Sequence, residues 1–376
     1  MKQFRHGLFI GKFYPPHQGH HGVIRAAAAD CDRVTVLVMA SVAETIAPAD
    51  RVAWLRAEHA GQPNVQIVGV RCDAPLDLGD EQVWVAQVAV MAAGVRSVTD
   101  EPVDAVFSAD DYGDELALRF KATFVRLDRS LAATEVRADP AGYWSALAPA
   151  TRAGMTTRVV VLGAESTGTT TVSIRLAEHY RQRGAVWADT GWVGEYGRAY
   201  TGIKWQAERA AARRDGRAEP ELDAIVWDRT DFDRVAEEQT AAEERAARCG
   251  SPVLVCDTDA FATMLWERRY LGDRARRRPA WAGAPLLPQR HLYLLTDHHD
   301  VPWSDDGLRE GDLAVRAAMT EWFASELIAA GHSWFLLTGS LSQRVALAVR
   351  AVDQLLAHRM SFGSPLTGPG FASDPE

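Results

Sequence analysis

Ten residues, Gly11-Lys12-Phe13-Tyr14-Pro15-Pro16-His17-Gln18-Gly19-His20, carry the most readable chemistry in this chain. They follow an apolar run, Leu8-Phe9-Ile10, that has the character of a buried strand. Two histidines three apart then open a helix through a glycine. A helix start offers unpaired N–H groups and a partial positive charge, a setting that suits a phosphate. Imidazoles at i and i+3 share one helical face, so His17 and His20 can reach the same anion. Gly11 and Gly19 leave room for backbone and ligand to come close. The expected chemistry is the handling of an anion at a strand-to-helix turn.

A second stretch repeats the theme with other residues. Val159-Val160-Val161-Leu162 runs into Gly163-Ala164-Glu165-Ser166-Thr167-Gly168-Thr169-Thr170, the layout of a P-loop whose successive N–H groups cradle phosphates. Every fixed position of G-x-x-x-x-G-K-[ST] is met but one. Thr169 stands where the lysine belongs, while Thr170 keeps the hydroxyl expected to ligate Mg²⁺. The missing ammonium normally stabilises charge on the transferring phosphate. Either another cation substitutes, or this half binds nucleotide without fast transfer.

Other residues could complete such a site. Residues 252–259 read as an apolar strand ending in Asp257-Thr258-Asp259, similar to a Walker B strand in which Asp257 positions Mg²⁺ or its water shell. In Gly194-Glu195-Tyr196-Gly197-Arg198, just after another expected strand, Glu195 could accept the proton of an attacking nucleoside hydroxyl. Residues 301–309, Val-Pro-Trp-Ser-Asp-Asp-Gly-Leu-Arg, read as a lid that brings Arg309 over the phosphates as the replacement cation.

These sites need elements to hold them. Strands are expected at 7–10, 34–40, 65–70, 105–108 and 123–127, with helices between them, one over 51–60. Such alternation predicts a doubly wound parallel sheet with ligands at the carboxyl ends of its strands. Small and turn-forming residues at 149–157 predict a linker, and a second α/β alternation follows over 158–360. Residues 227–248 read as a long helix whose charges solvate an exposed face. The Gly-, Pro- and Ser-containing tail, 361–376, is expected to be disordered.

Bulk properties agree. A chain of 376 residues has room for two full cores, and 47% hydrophobic with 24% charged residues is a globular composition. A net charge of −9 argues against a general nucleic-acid or anionic-membrane binder, though not against a nucleotide site. The four cysteines show no C-x-x-C spacing, and no run is long and apolar enough to span a bilayer. A cytoplasmic protein is expected.

The first motif resembles the G-x-F-x-P-x-H-x-G-H signature of nucleotidyltransferases. With the P-loop, Glu-Tyr-Gly-Arg, Asp-Thr-Asp and Trp-Ser-Asp-Asp-Gly-Leu-Arg in that order, the chain resembles the NadR-type bifunctional proteins. These join nicotinamide-nucleotide adenylyltransferase to ribosylnicotinamide kinase. The resemblance implies an α/β protein of two doubly wound domains: a nucleotidyltransferase Rossmann-like domain over 1–148 and a P-loop kinase-like domain over 158–360. It implies NAD biosynthesis and salvage. The first domain would join nicotinamide mononucleotide to AMP from ATP, giving NAD and pyrophosphate, by direct in-line attack. The second would phosphorylate nicotinamide riboside, with ATP as co-substrate and Mg²⁺ as cofactor.

Residue roles follow from the same resemblance. His17, His20 and Arg137 would be catalytic in the first domain, with Gly11, Lys12, Phe13, Gly19 and Thr134 against ATP. Thr134 and Arg137 match the family's I-S-x-T-x-x-R segment, in which Ala132 replaces the serine. Trp84 would stack on nicotinamide and Arg51 would meet phosphate. In the second domain Gly163, Glu165, Ser166, Thr167, Gly168, Thr169, Thr170 and Arg309 would hold ATP. Glu195, Tyr196, Arg198, Asp259 and Trp303 would hold the riboside, and Thr170 with Asp257 the metal. Some members carry an N-terminal helix-turn-helix; this chain starts almost at its first strand, so DNA is not an expected partner, nor is a membrane. A homo-oligomer is compatible with the sequence. The alternative reading is a monofunctional adenylyltransferase whose P-loop half senses nucleotide.

Overall fold

The computed structural model describes residues 2–128, 131–272, 275, 291–299, 301 and 312–363. Trp303 and Arg309 lie outside the described residues, as does the tail beyond Gly363. The chain divides into two units, Met1–Gly154 with His358–Glu376, and Met155–Ala357.

In the first unit β1 (Phe4–Gly11), α1 (Gln18–Asp30), β2 (Cys31–Ala40), α2 (Pro48–Glu58) and β3 (Val65–Arg71) alternate, followed by α3 (Glu81–Arg96), β4 (Ala105–Ser108), α4 (Tyr112–Phe120), β5 (Thr123–Arg126), α5 (Ala133–Ala138) and α6 (Pro149–Met155). The strands form one parallel sheet in the order β3-β2-β1-β4-β5. β1 is central, and its alternating side chains feed two cores: Phe9 packs with Val36, Val38 and Phe107 on one face, Leu8 and Ile10 with Leu37 and Met91 on the other. A strand buried on both faces reads as an uninterrupted apolar run, which is why Leu8-Phe9-Ile10 was legible.

The second unit runs β6 (Thr157–Gly163), α7 (Thr169–Arg181), β7 (Gly191–Val193), α8 (Tyr196–Arg214), α9 (Arg229–Cys249), β8 (Val253–Asp257), α10 (Ala260–Leu271), β9 (His291–Thr296), α11 (Leu313–Ala329), β10 (Trp334–Leu337) and α12 (Leu341–Arg359). Its parallel sheet has the order β10-β9-β6-β8-β7, again with the first strand in the middle. In each sheet the connection therefore changes direction beside the central strand. Such a switch point opens a crevice at the strand's carboxyl end. The expected α/β, doubly wound fold is what both units adopt.

Local boundaries differ in places. Pairing Phe4 with Cys31 extends β1 and β2 towards their N-termini, into residues whose polarity hid them. Pro48 starts α2 before Arg51, as proline at a first turn does. Residues 149–157, expected as a linker, contain α6 and the first residue of β6. No helix among the described residues is long and apolar enough to cross a membrane.

Candidate functional site

The first crevice lies at the end of β1. His17 is the N-cap of α1: its Nδ1 accepts from Gly19 N at 3.2 Å, while His20 Nδ1 accepts from His17 N at 3.3 Å. This reciprocal pair is a capping box built from two imidazoles. It brings the ring centroids to 3.8 Å. Gly19 eases this closeness, since a Cβ there would sit 3.0 Å from His17 Cε1 and 3.2 Å from the Leu131 carbonyl oxygen. Phe13, fully buried with a positive φ of 49°, lays its ring 4.9 Å from that of His20.

Arg137 reaches the same place from α5. Its Nη1 donates to the Tyr14 carbonyl at 3.2 Å, and its guanidinium lies 5.9 Å from the Tyr14 ring centroid. Burial pulls the Arg137 guanidinium down from its usual range. Thr134 sits in the same helix, at its first turn. Gly11, Phe13, His17, Gly19, His20 and Arg137 thus surround one strand-to-helix turn.

Two expected contacts are placed otherwise. Arg51 is fully buried and bound to protein: Nη1 to Glu44 Oε2 at 2.6 Å and to the Lys12 carbonyl at 2.7 Å, Nη2 to the Ile46 carbonyl at 2.7 Å. It braces the turn instead of facing a phosphate. Glu44, which the sequence reading missed, also takes Lys12 Nζ at 3.1 Å. Trp84 is a core residue, 7% exposed; its Nε1 donates to the Leu78 carbonyl and Arg119 covers the ring at 5.0 Å. The Arg119 guanidinium thus occupies one face of the indole.

The second crevice lies at the end of β6. Gly163 leaves space that a Cβ would take from Thr296 Oγ1, and Thr167 Oγ1 bridges to Thr296 Oγ1 and to the Ala164 carbonyl, both at 2.6 Å. Gly168, at φ 86°, turns the loop into α7, a left-handed conformation that glycine adopts without cost. Ser166 adopts φ 58° without that freedom. Two buried arginines hold the loop's carbonyls: Arg316 Nη2 donates to Ser166 O at 3.1 Å and Arg344 Nη1 to Thr167 O at 3.0 Å. Carbonyls turned outwards leave the N–H groups of the turn to face an anion.

Asp257 ends β8 beside this loop. Burial pushes its carboxyl up to about 6, against hydrogen bonds from Thr170 and Thr169, and the charge of Glu195 adds to the rise. A buried carboxylate, a hydroxyl and a second carboxylate in one place fit a divalent cation, which would relieve that repulsion. Glu195 pairs with Arg198 at 2.9 Å at the start of α8, and the Tyr196 N–H donates to Gln239 Oε1 at 3.0 Å. Glu165 accepts from Tyr270 OH at 3.2 Å. Asp259 is the buried N-cap of α10: Oδ1 accepts from Ala262 N at 2.9 Å and Oδ2 from Tyr293 OH at 2.7 Å. Each of its oxygens thus accepts a hydrogen bond within the fold.

A family model described as AAA domain matches residues 158–344, the P-loop half. The trifunctional NAD biosynthesis/regulator protein NadR of Escherichia coli K12 is 24% identical over 323 residues, covering 81% of this chain and 71% of its own. That of Salmonella typhimurium LT2 is 23% identical with the same coverage. The chain is similar to NadR over most of its length. A crystal structure of NadR in complex with NR aligns with 94% of this chain and 97% of its own, at TM-score 0.58 and 20% identity. One in complex with NAD and AMP-PNP aligns over the same shares at 0.55 and 18%. The NadR-like fold thus extends through both units, and each carries its phosphate-type loop at the central strand of its sheet.

Proposed function

We propose that this chain makes NAD in two steps, phosphorylating nicotinamide riboside in the second unit and adenylylating the mononucleotide in the first. One observation carries the reading: each unit ends its central strand, β1 or β6, in a separate helix-opening turn suited to a phosphate chain. The NadR relatives and the order of the motifs support it.

In the first unit a phosphate oxygen of nicotinamide mononucleotide attacks the α-phosphorus of ATP. The new P–O bond forms as the bond to pyrophosphate breaks. His17, His20 and Arg137 stand where charge develops on the triphosphate, and Lys12 adds positive potential beside the turn. Thr134 and the glycines shape the ATP pocket.

In the second unit the riboside hydroxyl attacks the γ-phosphorus of ATP, ADP leaves, and Glu195 accepts the hydroxyl proton. Arg198 orients that carboxylate through their ion pair, and Tyr196 flanks the riboside. Thr170 and Asp257 are the residues that would hold Mg²⁺, whose charge would offset that of the phosphates. ATP is the co-substrate of both steps, and a cytoplasmic location fits both pools.

Purified protein supplied with nicotinamide riboside, ATP and Mg²⁺ should form the mononucleotide and then NAD. No NAD from supplied mononucleotide would end the reading for the first unit. NAD from mononucleotide but no product from riboside would leave the monofunctional alternative, which Thr169 favours. Loss of riboside phosphorylation alone in Asp257→Ala would exclude that alternative.

A further inference from the structure

Thr169 leaves the phosphate loop of the second unit without its ammonium, and the structure holds a cation beside that loop. Arg316, on the first turn of α11, is 1% exposed. Among the described residues only Nη2 is engaged, with the Ser166 carbonyl at 3.1 Å and, more weakly, the His298 carbonyl at 3.5 Å. Its Nε and Nη1 are buried and have no hydrogen-bond partner among the described residues. Ser166 Oγ, in the loop it touches, is buried and unpartnered as well. Ala164, Glu165, Trp266, Arg269 and Arg316 line a small cleft there.

Such an arrangement is costly for a protein that binds nothing. An ionised group taken out of water without compensating hydrogen bonds is strongly disfavoured. A second arginine shows what a purely structural role looks like at the same loop. Arg344 is equally buried, yet it donates to the carbonyls of Gly339, Thr167 and His299 from all three of its nitrogens. Arg316 keeps two nitrogens in reserve beside a turn of the kind whose N–H groups cradle phosphate. A guanidinium stays charged, and its Nε and Nη1 each offer a separate charge-assisted donor to a phosphate oxygen.

We infer that Arg316 is the cation of this phosphate loop, taking the place of the lysine that Thr169 replaces and donating Nε and Nη1 to the phosphate oxygens of ATP. The inference rests on the proposed kinase reading of the second unit. It also moves the replacement from Arg309, the cation expected from sequence, to a residue on α11. The same side chain bonds the carbonyl of Ser166, whose φ is 58°, so it touches the loop as well as charging it.

The test uses the full chain with Arg316→Met, Arg316→Lys and the double variant Arg316→Met/Thr169→Lys. Riboside phosphorylation should fall about 10²–10³-fold in kcat in Arg316→Met, the usual loss for one preorganised donor. Arg316→Lys should keep activity to within about tenfold of wild type, since the charge survives while the guanidinium's fixed donor directions are lost. A lysine at position 169 restores the charge but not the bond to Ser166, so the double variant should recover at least about tenfold over Arg316→Met. NAD formation from supplied mononucleotide, performed by the first unit, should be unchanged in all three and reports folding there.

Arg316→Met with kcat within about threefold of wild type overturns the inference, given the size expected for a lost donor. So does a loss that Thr169→Lys fails to relieve, because the arginine would then only brace the loop. Absence of riboside phosphorylation in wild type is a failure of the kinase reading instead. Arg316 is then judged by binding of the non-hydrolysable analogue AMP-PNP: two molecules per chain in wild type and one in Arg316→Met support it, and equal stoichiometry in the two proteins overturns it.

Discussion

Glu44 and Arg51 form an ion pair with both side chains wholly out of water, Oε2 to Nη1 2.6 Å, beneath the turn that carries Lys12. A second carboxylate oxygen of Glu44 holds Lys12, so one buried acid ties α2 to the end of β1. Removing one member of a buried pair strands the other charge, at a cost of about 3–5 kcal/mol. Glu44→Gln and Arg51→Met should therefore each destabilise the first unit by about that amount. Chemical denaturation followed through loss of adenylyl transfer measures it. A change below about 1 kcal/mol would mean that water reaches the pair, as it does at surface ion pairs.

The imidazoles of the first turn have separable duties. His17→Asn keeps a good N-cap, whereas His17→Ala removes it at about 1 kcal/mol. Both should lower NAD formation from mononucleotide, and His20→Ala should lower it about 10²–10³-fold. Riboside phosphorylation should be untouched in all three. Steady-state rates of the two half-reactions, assayed separately, check this; equal losses in both would refute the division of labour between the units.

How far the sequence reveals this molecule depends on how local each feature is. β1 was visible because a strand buried on both faces must be apolar throughout, and His17 and His20 because three residues of helix place them together. The P-loop was visible because its turn, strand and helix are consecutive. Arg316 and Ser166 are 150 residues apart, and nothing around Arg316 marks it as different from a solvated helix arginine. Glu44 is equally mute, lying 32 residues from Lys12 in a segment without regular periodicity. Trp84 and Asp259 show the converse: residue types suited to a ligand are taken by the core and by a helix cap. Only folding shows which polar groups the chain has already satisfied.

Trp84 yields a direct test of that point. Since its indole packs among Leu8, Leu37 and Met91, Trp84→Ala should cost about 3–5 kcal/mol of first-unit stability. Trp84→Phe, which keeps most of the volume, should leave the KM for nicotinamide mononucleotide within about threefold, because burial and not stacking is its role. A tenfold rise in that KM with unchanged stability would return the residue to the nicotinamide site.

Acid should weaken the first unit through a histidine pair beside the turn that opens α1. His59 Nδ1 meets Gln62 Oε1 at 2.5 Å, and its Nε2 meets His21 Nδ1 at 2.9 Å. If His59 donates to Gln62, its Nε2 is left to accept from His21, and both rings are neutral. His21 Nε2 is then a buried lone pair without a partner, and a proton added there finds no acceptor. Burial pulls His21 from 6.5 down to about 3, with further contributions from His59, Arg25 and His17, and burial lowers His59 too. The depressed folded-state value means the unfolded chain binds more protons between about pH 3 and 6.5, so stability is complete above 6.5 and falls as pH drops towards 3. At about 1.4 kcal/mol per pH unit, His21 alone should remove about 2 kcal/mol between pH 6.5 and 5. Unfolding free energies at those two pH values, in wild type and in His21→Gln/His59→Gln, give the comparison. The double variant should show a distinctly flatter dependence, and equal slopes would assign the acid sensitivity to other groups.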